Sequence, residues 1–462
     1  MNPQDAIGFA AVLAAVGWAG RQPATSSAAY TVADRSLTWF PLVATLVMTE
    51  FNTSTLLAFS AAGYGAGPMA MALPAVFLVG LLFYTVTVAR PWKRFDRLSV
   101  AELFAERYSP ALGRLASALL LVAMTGFSAT YVKSLTLIAT PFASSWSPWA
   151  LSGVATLVVV LAVVRGGLRS VVRTDVVGFA LTLVVLPALL WLGWQRLPAD
   201  GLDRVFPPIQ QIVSPVAQWE HPALPFRFVS TLMVLTCFTY IAAPWYGQKI
   251  FAARDAATAR RAVGISAVLV FVLYAVTVLA ASLYRASAPA LTDPQQVVPA
   301  MIATWLPSGV RGAGLGMLFV AALTTLAGVW SAMAAMVAAD FGGSSTVGAQ
   351  RRAIVVFALL SWLGANVLVD QILDRLILAN IPVAALAFAL LAGFHWPRAT
   401  TAGAWASVGV GVLWGVGCYV VVGESGGYTW PWAMYGIPLI FATGIGVSLL
   451  TQGSPAPTPA AR

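Results

Sequence analysis

The sequence predicts an all-α protein, a polytopic transmembrane helical bundle of about 13 spans. Three observations carry that prediction. Of the 462 residues, 59% are hydrophobic and only 9% are charged, against about 25% charged in soluble domains. Apolar runs of about 20 residues, the length that crosses a bilayer core as a helix, recur along the whole chain. Charges, Pro and Gly gather between the runs rather than within them. A soluble chain of this size has too few polar groups here to cover its exterior, and the mean hydropathy of +0.83 agrees.

In order, the expected spans are 6–20, 40–60, 69–88, 115–139, 150–164, 176–192, 228–246, 265–283, 315–338, 353–369, 376–393, 402–422 and 432–450. The net charge of +10 suggests nucleic acid at first. The basic residues sit in short loops, however, which is a membrane-topology pattern and not a phosphate-binding face. Arg90, Lys93, Arg94, Arg165, Arg169, Arg173, Lys249, Arg254, Arg260 and Arg261 fall on one side with most of the other cations. The opposite side holds only Arg196, Arg204, Arg227, Arg285, Arg311 and Arg375. The positive-inside rule then places the N-terminus outside and the C-terminus in the cytoplasm, which requires an odd number of spans. The first run lacks the basic start of a cleavable signal and reads as a span. Residues 1–452 read as a single transmembrane domain, and the Pro/Ala-rich 453–462 as a disordered cytoplasmic tail. Cys237 and Cys418 fall inside spans, so a disulfide is not expected. The lone His221 and His395 offer no metal-ligand spacing. No nucleophile–base set or nucleotide loop points to an enzyme.

Two spans are interrupted. The second carries Glu50, Asn52, Thr53, Ser54 and Thr55 at its centre. A charge at mid-membrane costs roughly 2.5–3.5 kcal/mol on insertion scales and needs a partner or a cavity. The seventh carries Thr239, Tyr240 and Pro244, and the proline frees a carbonyl one turn earlier. Interrupted helices at matching places in two halves point to an inverted-repeat transporter with a midplane site.

Five segments then become recognisable together: YTVADRSLTWF at 30–40, RGGLRSVVRTD at 165–175, and QKIFAARD at 248–255 with ARRA at 259–262. Asp293-Pro294 with LPSGVRG at 306–312, and HWPRATTAGA at 395–404, complete the set. In this order and spacing the chain resembles the sodium:solute symporter family. The resemblance implies a leucine-transporter-type core of two inverted five-helix repeats, about 36–195 and 225–395. It also implies sodium-driven uptake of a small organic solute by alternating access across the inner (cytoplasmic) membrane, with Na+ as the coupling ion and no organic cofactor. The partners it implies are the solute and the lipid bilayer, with no nucleic acid.

Carried over by position, the backbone carbonyls of Met48, Phe51 and Ala321 and the hydroxyls of Thr324 and Thr325 would hold the sodium ion. The chemistry suits a hard cation, which takes several oxygens; membrane threonines also bond back to their own helix, so a structural role stays open for both. Some relatives hold a second sodium near the position of Asp175, using two hydroxyls that are Ala327 and Gly328 here. Asp175 is therefore expected to form a cytoplasmic ion pair with Arg165, Arg169 or Arg173. The solute is expected against Glu50, Asn52, Thr53, Ser54, Thr55, Ala243 and Trp245. Lys133, the one cation read as deep within a span, would hold a substrate carboxylate, pair with Glu50 or snorkel outward. The solute class is thus a carboxylate or an amino-acid-like compound. Two other functions stay open: a proton-coupled carrier using Glu50, and a transporter-like sensor acting through a separate cytoplasmic partner.

Overall fold

The computed structural model describes residues 2–21, 31–140, 145–205, 224–288, 290–341 and 346–452. His221 and the tail 453–462 lie outside the described residues. Helices account for nearly everything described, and the apolar runs become helices because a backbone in lipid must satisfy its own hydrogen bonds. In chain order they are α1 (Pro3–Gly20), α2 (Trp39–Glu50), α3 (Thr53–Ala66), α4 (Ala72–Thr87), α5 (Ala89–Phe95), α6 (Glu102–Arg107), α7 (Pro110–Ala139) and α8 (Pro148–Gln195). After the short α9 (Gly201–Val205) come α10 (Phe226–Tyr240), α11 (Pro244–Ala252), α12 (Ala256–Ser287), α13 (Val297–Trp305) and α14 (Val310–Asp340). The remainder are α15 (Val347–Val367), α16 (Ile372–Leu378), α17 (Ile381–Ala384), α18 (Ala387–His395), α19 (Thr401–Val422) and α20 (Thr429–Leu450).

By length and apolarity, eight helices among the described residues can cross a membrane, or ten if two bent pairs each count as one. Those pairs are Phe226–Tyr240 with Pro244–Ala252, bent by 48°, and Ile372–Ala384 with Ala387–His395, bent by 45°. Trp39–Glu50 and Pro148–Val164 are apolar but shorter.

α14 is the hub, with 89% of its apolar window buried, whereas α15 has only 22% buried. α1, α7, α8, α11 and α2 all pack on α14, and α12 packs along α2, α3 and α4. Close approach depends on glycine: a Cβ on Gly312 would stand 1.8 Å from the Asp5 carbonyl oxygen, and one on Gly63 would stand 2.7 Å from that of Val278. Large apolar side chains such as Trp18, Leu161, Trp191, Leu413 and Val421 cover the exterior, the inverse of a wetted surface and the expected face toward lipid chains.

One expectation is corrected here. The loop expected between 164 and 176 is helical: α8 runs on to Gln195 and is broken only at Gly167, at φ 59° and ψ −166°. Gly167 takes a backbone region that is essentially closed to other residues. A kink between two helices therefore stands where the polar composition suggested a loop.

The candidate solute and sodium site

α2 ends at Glu50 because the next two residues leave helical geometry, and Asn52 then caps α3 by accepting the Thr55 N–H at 2.8 Å. This is an ordinary N-cap in an unusual place, the middle of an apolar segment. The freed Glu50 carbonyl accepts the Tyr274 hydroxyl at 2.5 Å and the Asn52 amide at 3.1 Å. The second break lies between α10 and α11. Pro244 occupies the first turn of α11, where its missing N–H costs nothing. The Trp92 indole donates to the Ile241 carbonyl across that break at 2.8 Å.

The two breaks face each other. The Tyr240 hydroxyl donates to Glu50 Oε2 at 2.5 Å. Glu50 is 1% exposed, and its Oε1 accepts no hydrogen bond among the described residues, although the Trp245 indole lies beside it. A cavity opens here. Glu50, Asn52, Thr55, Tyr240 and Trp245 line one part, the rings of Phe59, Phe77, Phe127 and Tyr131 another, and Leu376, Ile377 and Asn380 a third. Among the described residues, Glu50 is the one carboxylate in the lining, and no Lys, Arg or His joins it.

Other expected solute residues stand differently. Ser54 is buried, but among the described residues its hydroxyl has no partner, and it is not in the lining. Thr53 bonds to Ser134 at 2.7 Å. Ala243 is buried in the backbone of the second break, outside the lining. Lys133 is half-buried, lines no part of the cavity and makes no ion pair with Glu50, whose oxygen goes to Tyr240 instead. The Lys133–Glu50 pair is thus corrected: Glu50 is held by Tyr240, and Lys133 stands outside the cavity lining.

The sodium candidates meet where α2 and α14 touch. The Thr325 hydroxyl reaches the Ala321 carbonyl at 2.8 Å and, across the helix interface, the Met48 carbonyl at 3.1 Å. The Thr324 hydroxyl lies 3.5 Å from the Ala321 carbonyl. Uncharged oxygens of Met48, Ala321, Thr324 and Thr325 from two helices therefore lie close together, the kind of oxygen set that a small hard cation takes. Phe51 leaves α2 at ψ 68°, releasing its carbonyl from the ladder, while its ring packs on Tyr274 at 4.8 Å.

A second polar cluster adjoins this point and was not foreseen. Lys249, expected in a cytoplasmic loop, is 1% exposed inside the molecule. Its ammonium donates to the Thr45 carbonyl at 2.9 Å, to the Thr49 hydroxyl and to Asp175 Oδ2 at 3.2 Å. Asp175 also accepts the Thr45 hydroxyl. The expected cytoplasmic pairing of Asp175 is corrected: Asp175 is buried and pairs with Lys249, while Arg169 goes to Asp34 at 3.3 Å, and the side chain of Arg165 lies outside the described residues. α11 extends past Tyr246, with every residue from Pro244 to Ala252 buried, and carries the lysine inward.

The description "Sodium:solute symporter family" matches residues 30–411. A sodium/pantothenate symporter of Haemophilus influenzae is 24% identical over 419 residues, 86% of this chain and 84% of that protein. A sodium/pantothenate symporter of Escherichia coli is 27% identical over 275 residues, 57% of this chain and 55% of that protein. Among solved structures, a Na+-coupled sialic acid symporter in a substrate-bound outward-open state superposes with a TM-score of 0.82 at 16% identity. It covers all of both chains. A manganese transporter of Eremococcus coleocola gives a TM-score of 0.56 at 14% identity over 89% of this chain and 92% of that one. The leucine-transporter-type fold, the embedding in a membrane and sodium as the coupling ion rest on one assignment: the chain belongs to the sodium:solute symporter family.

Proposed function

We propose that this protein takes up a small amino-acid-like solute, held by its protonated amine at Glu50, in symport with one sodium ion and by alternating access. The observation that carries the reading is the lining of the cavity at the two helix breaks. Among the described residues its one charged group is a carboxylate, one oxygen of which accepts no hydrogen bond there, ringed by aromatic faces. A buried carboxylate needs a cationic or hydrogen-donating partner, and aromatic faces attract cations as well. The names of the relatives speak of pantothenate, which bears a carboxylate. Among the described residues a solute carboxylate finds no basic side chain in the lining, so it would lean on the bound sodium ion, and the amine is the group that Glu50 can hold; pantothenate has a carboxylate but no amine.

A bound sodium ion would supply the driving gradient and a fixed positive charge. Met48, Phe51, Ala321, Thr324 and Thr325 would hold it at the α2–α14 contact. We read the chain as thirteen spans in two inverted repeats, with the N-terminus outside the cytoplasmic membrane and the C-terminus inside. The basic loops named above support that orientation.

The deciding experiment is a competition screen in proteoliposomes with an imposed sodium gradient. Amino acids and primary amines should accumulate with sodium and collapse with a sodium ionophore. Accumulation of pantothenate and related acids alone would overturn the amine reading. Uptake that follows an imposed proton gradient and ignores sodium would instead assign Glu50 to proton carriage.

A further inference from the structure

We propose that the Lys249 ammonium is a built-in cation that fills a second alkali-ion place beside the α2–α14 contact. It therefore limits the protein to one sodium ion. The inference rests on the sodium reading above and adds to it a site that a side chain occupies.

The shell around the ammonium is one that a hard cation would use. It comprises a backbone carbonyl (Thr45), a hydroxyl (Thr49) and a carboxylate oxygen (Asp175), contributed by α2 and α8. Oxygens of these three kinds are the usual ligands of small hard cations. Asp175 Oδ1, also buried, has no hydrogen-bond partner among the described residues, so the described shell holds more acceptor capacity than the lysine uses. The third wall is α14 at Gly328, where a Cβ would stand 3.8 Å from Lys249 Nζ. That distance is ordinary van der Waals contact, and the glycine contributes no side-chain oxygen to the shell. Thr45 and Thr49 lie within one turn of Met48, whose carbonyl faces Thr325. The tethered charge thus sits next to the mobile ion's candidate ligands.

Two readings of a buried Lys–Asp pair must be separated. A purely structural pair satisfies two charges and nothing more, and removing one partner leaves an uncompensated buried charge. A surrogate cation leaves behind a functioning cation site when the side chain is cut away. Lys249→Ala removes the ammonium and keeps all three oxygens in place.

The test is equilibrium binding of radioactive sodium to purified protein in detergent, with thermal unfolding followed in parallel. The wild type should bind one sodium per chain with a Hill coefficient of one. Lys249→Ala should bind two with a Hill coefficient above one, and Lys249→Ala with Asp175→Asn should return to one. Methylammonium should stabilise Lys249→Ala against heat and displace one of its two sodium ions, with no such effect on the wild type. Two sodium ions on the wild type, or one on a monodisperse Lys249→Ala, overturns the proposal. If Lys249→Ala aggregates, recovery of monodisperse protein with methylammonium or high sodium during extraction supports the proposal, and failure to recover it with either overturns it. Thr325→Ala separates the two readings. If the wild type binds one sodium and Thr325→Ala still binds it unchanged, the α2–α14 site is wrong, while the doubling in Lys249→Ala still reports on the lysine.

Discussion

A residue can be read from its type alone when its chemistry is out of place, and Glu50 was legible for that reason. A carboxylate in an apolar run must meet a cavity or a partner, and it meets both, in the cavity between the two helix breaks and in Tyr240. Lys249 was misread because a lysine beside glutamine after an apolar run resembles a loop. The contrary signal was Pro244. A proline at the first position of a helix begins an element rather than ending one, so the chain should stay helical for two further turns and carry Lys249 inward. Nothing in the sequence ties Lys249 to Asp175 across 74 positions. Two substitutions test the site. Thr324→Ala with Thr325→Ala removes two hydroxyls while keeping a strong helix former; sodium affinity should fall at least tenfold with protein yield unchanged, as read by sodium binding. Glu50→Gln keeps the shape and removes the charge. A charge-assisted hydrogen bond contributes about 1.5–3 kcal/mol, so the KM for the amine solute should rise roughly 10- to 150-fold while sodium binding stays within twofold.

At the scale of elements, the breaks were legible and the joins were not. Asn52 and Pro244 announce the two discontinuities, because each has a definite place at the start of a helix. The kink at Gly167 was hidden, since arginines and glycines in a row look like a loop whether or not the backbone is helical. Gly167→Ala puts a side chain into a backbone region that glycine alone tolerates, at a cost of about 1–3 kcal/mol. The expected outcome is a lower unfolding temperature in detergent with the sodium Kd unchanged. A second join closes one face of the bundle. Leu37 and Ala253 form an isolated parallel bridge, with the Leu37 N–H bonded to the Ala252 carbonyl at 3.0 Å and the Arg254 N–H to the Leu37 carbonyl at 3.1 Å. Lys93 reinforces it by donating to the Phe251 carbonyl at 2.8 Å and pairing with Asp96, which also holds Arg35 at 3.0 Å. If the cytoplasmic path opens by parting this contact, a Leu37→Cys/Ala253→Cys disulfide should stop uptake and leave sodium binding intact, with reductant restoring transport. The native Cys237 and Cys418, both free, must first be replaced by alanine. Full uptake by the cross-linked protein would show that the exit path lies elsewhere.

At the scale of the molecule, composition established the solvent and periodicity the elements. The resemblance then supplied the arrangement that the TM-score of 0.82 supports. What remains is the energy that the assembled protein can draw from a gradient, and this follows from charge. One sodium ion moving with a zwitterionic solute carries one net positive charge inward per cycle. A tenfold sodium gradient then supplies about 1.4 kcal/mol, and a potential of 100 mV, negative inside, supplies about 2.3 kcal/mol more. Proteoliposomes with the tenfold gradient alone should accumulate solute about 10-fold, and the potential should raise this by a further ~50-fold at equilibrium. Lys249 does not alter the sum, because a tethered charge that returns with the empty carrier transfers nothing over a full cycle. Coupling to two ions would square both factors. The reversal condition discriminates between them: the outward solute gradient at which net flux stops should shift tenfold for each tenfold change in sodium, whereas a hundredfold shift would rule out single-ion coupling.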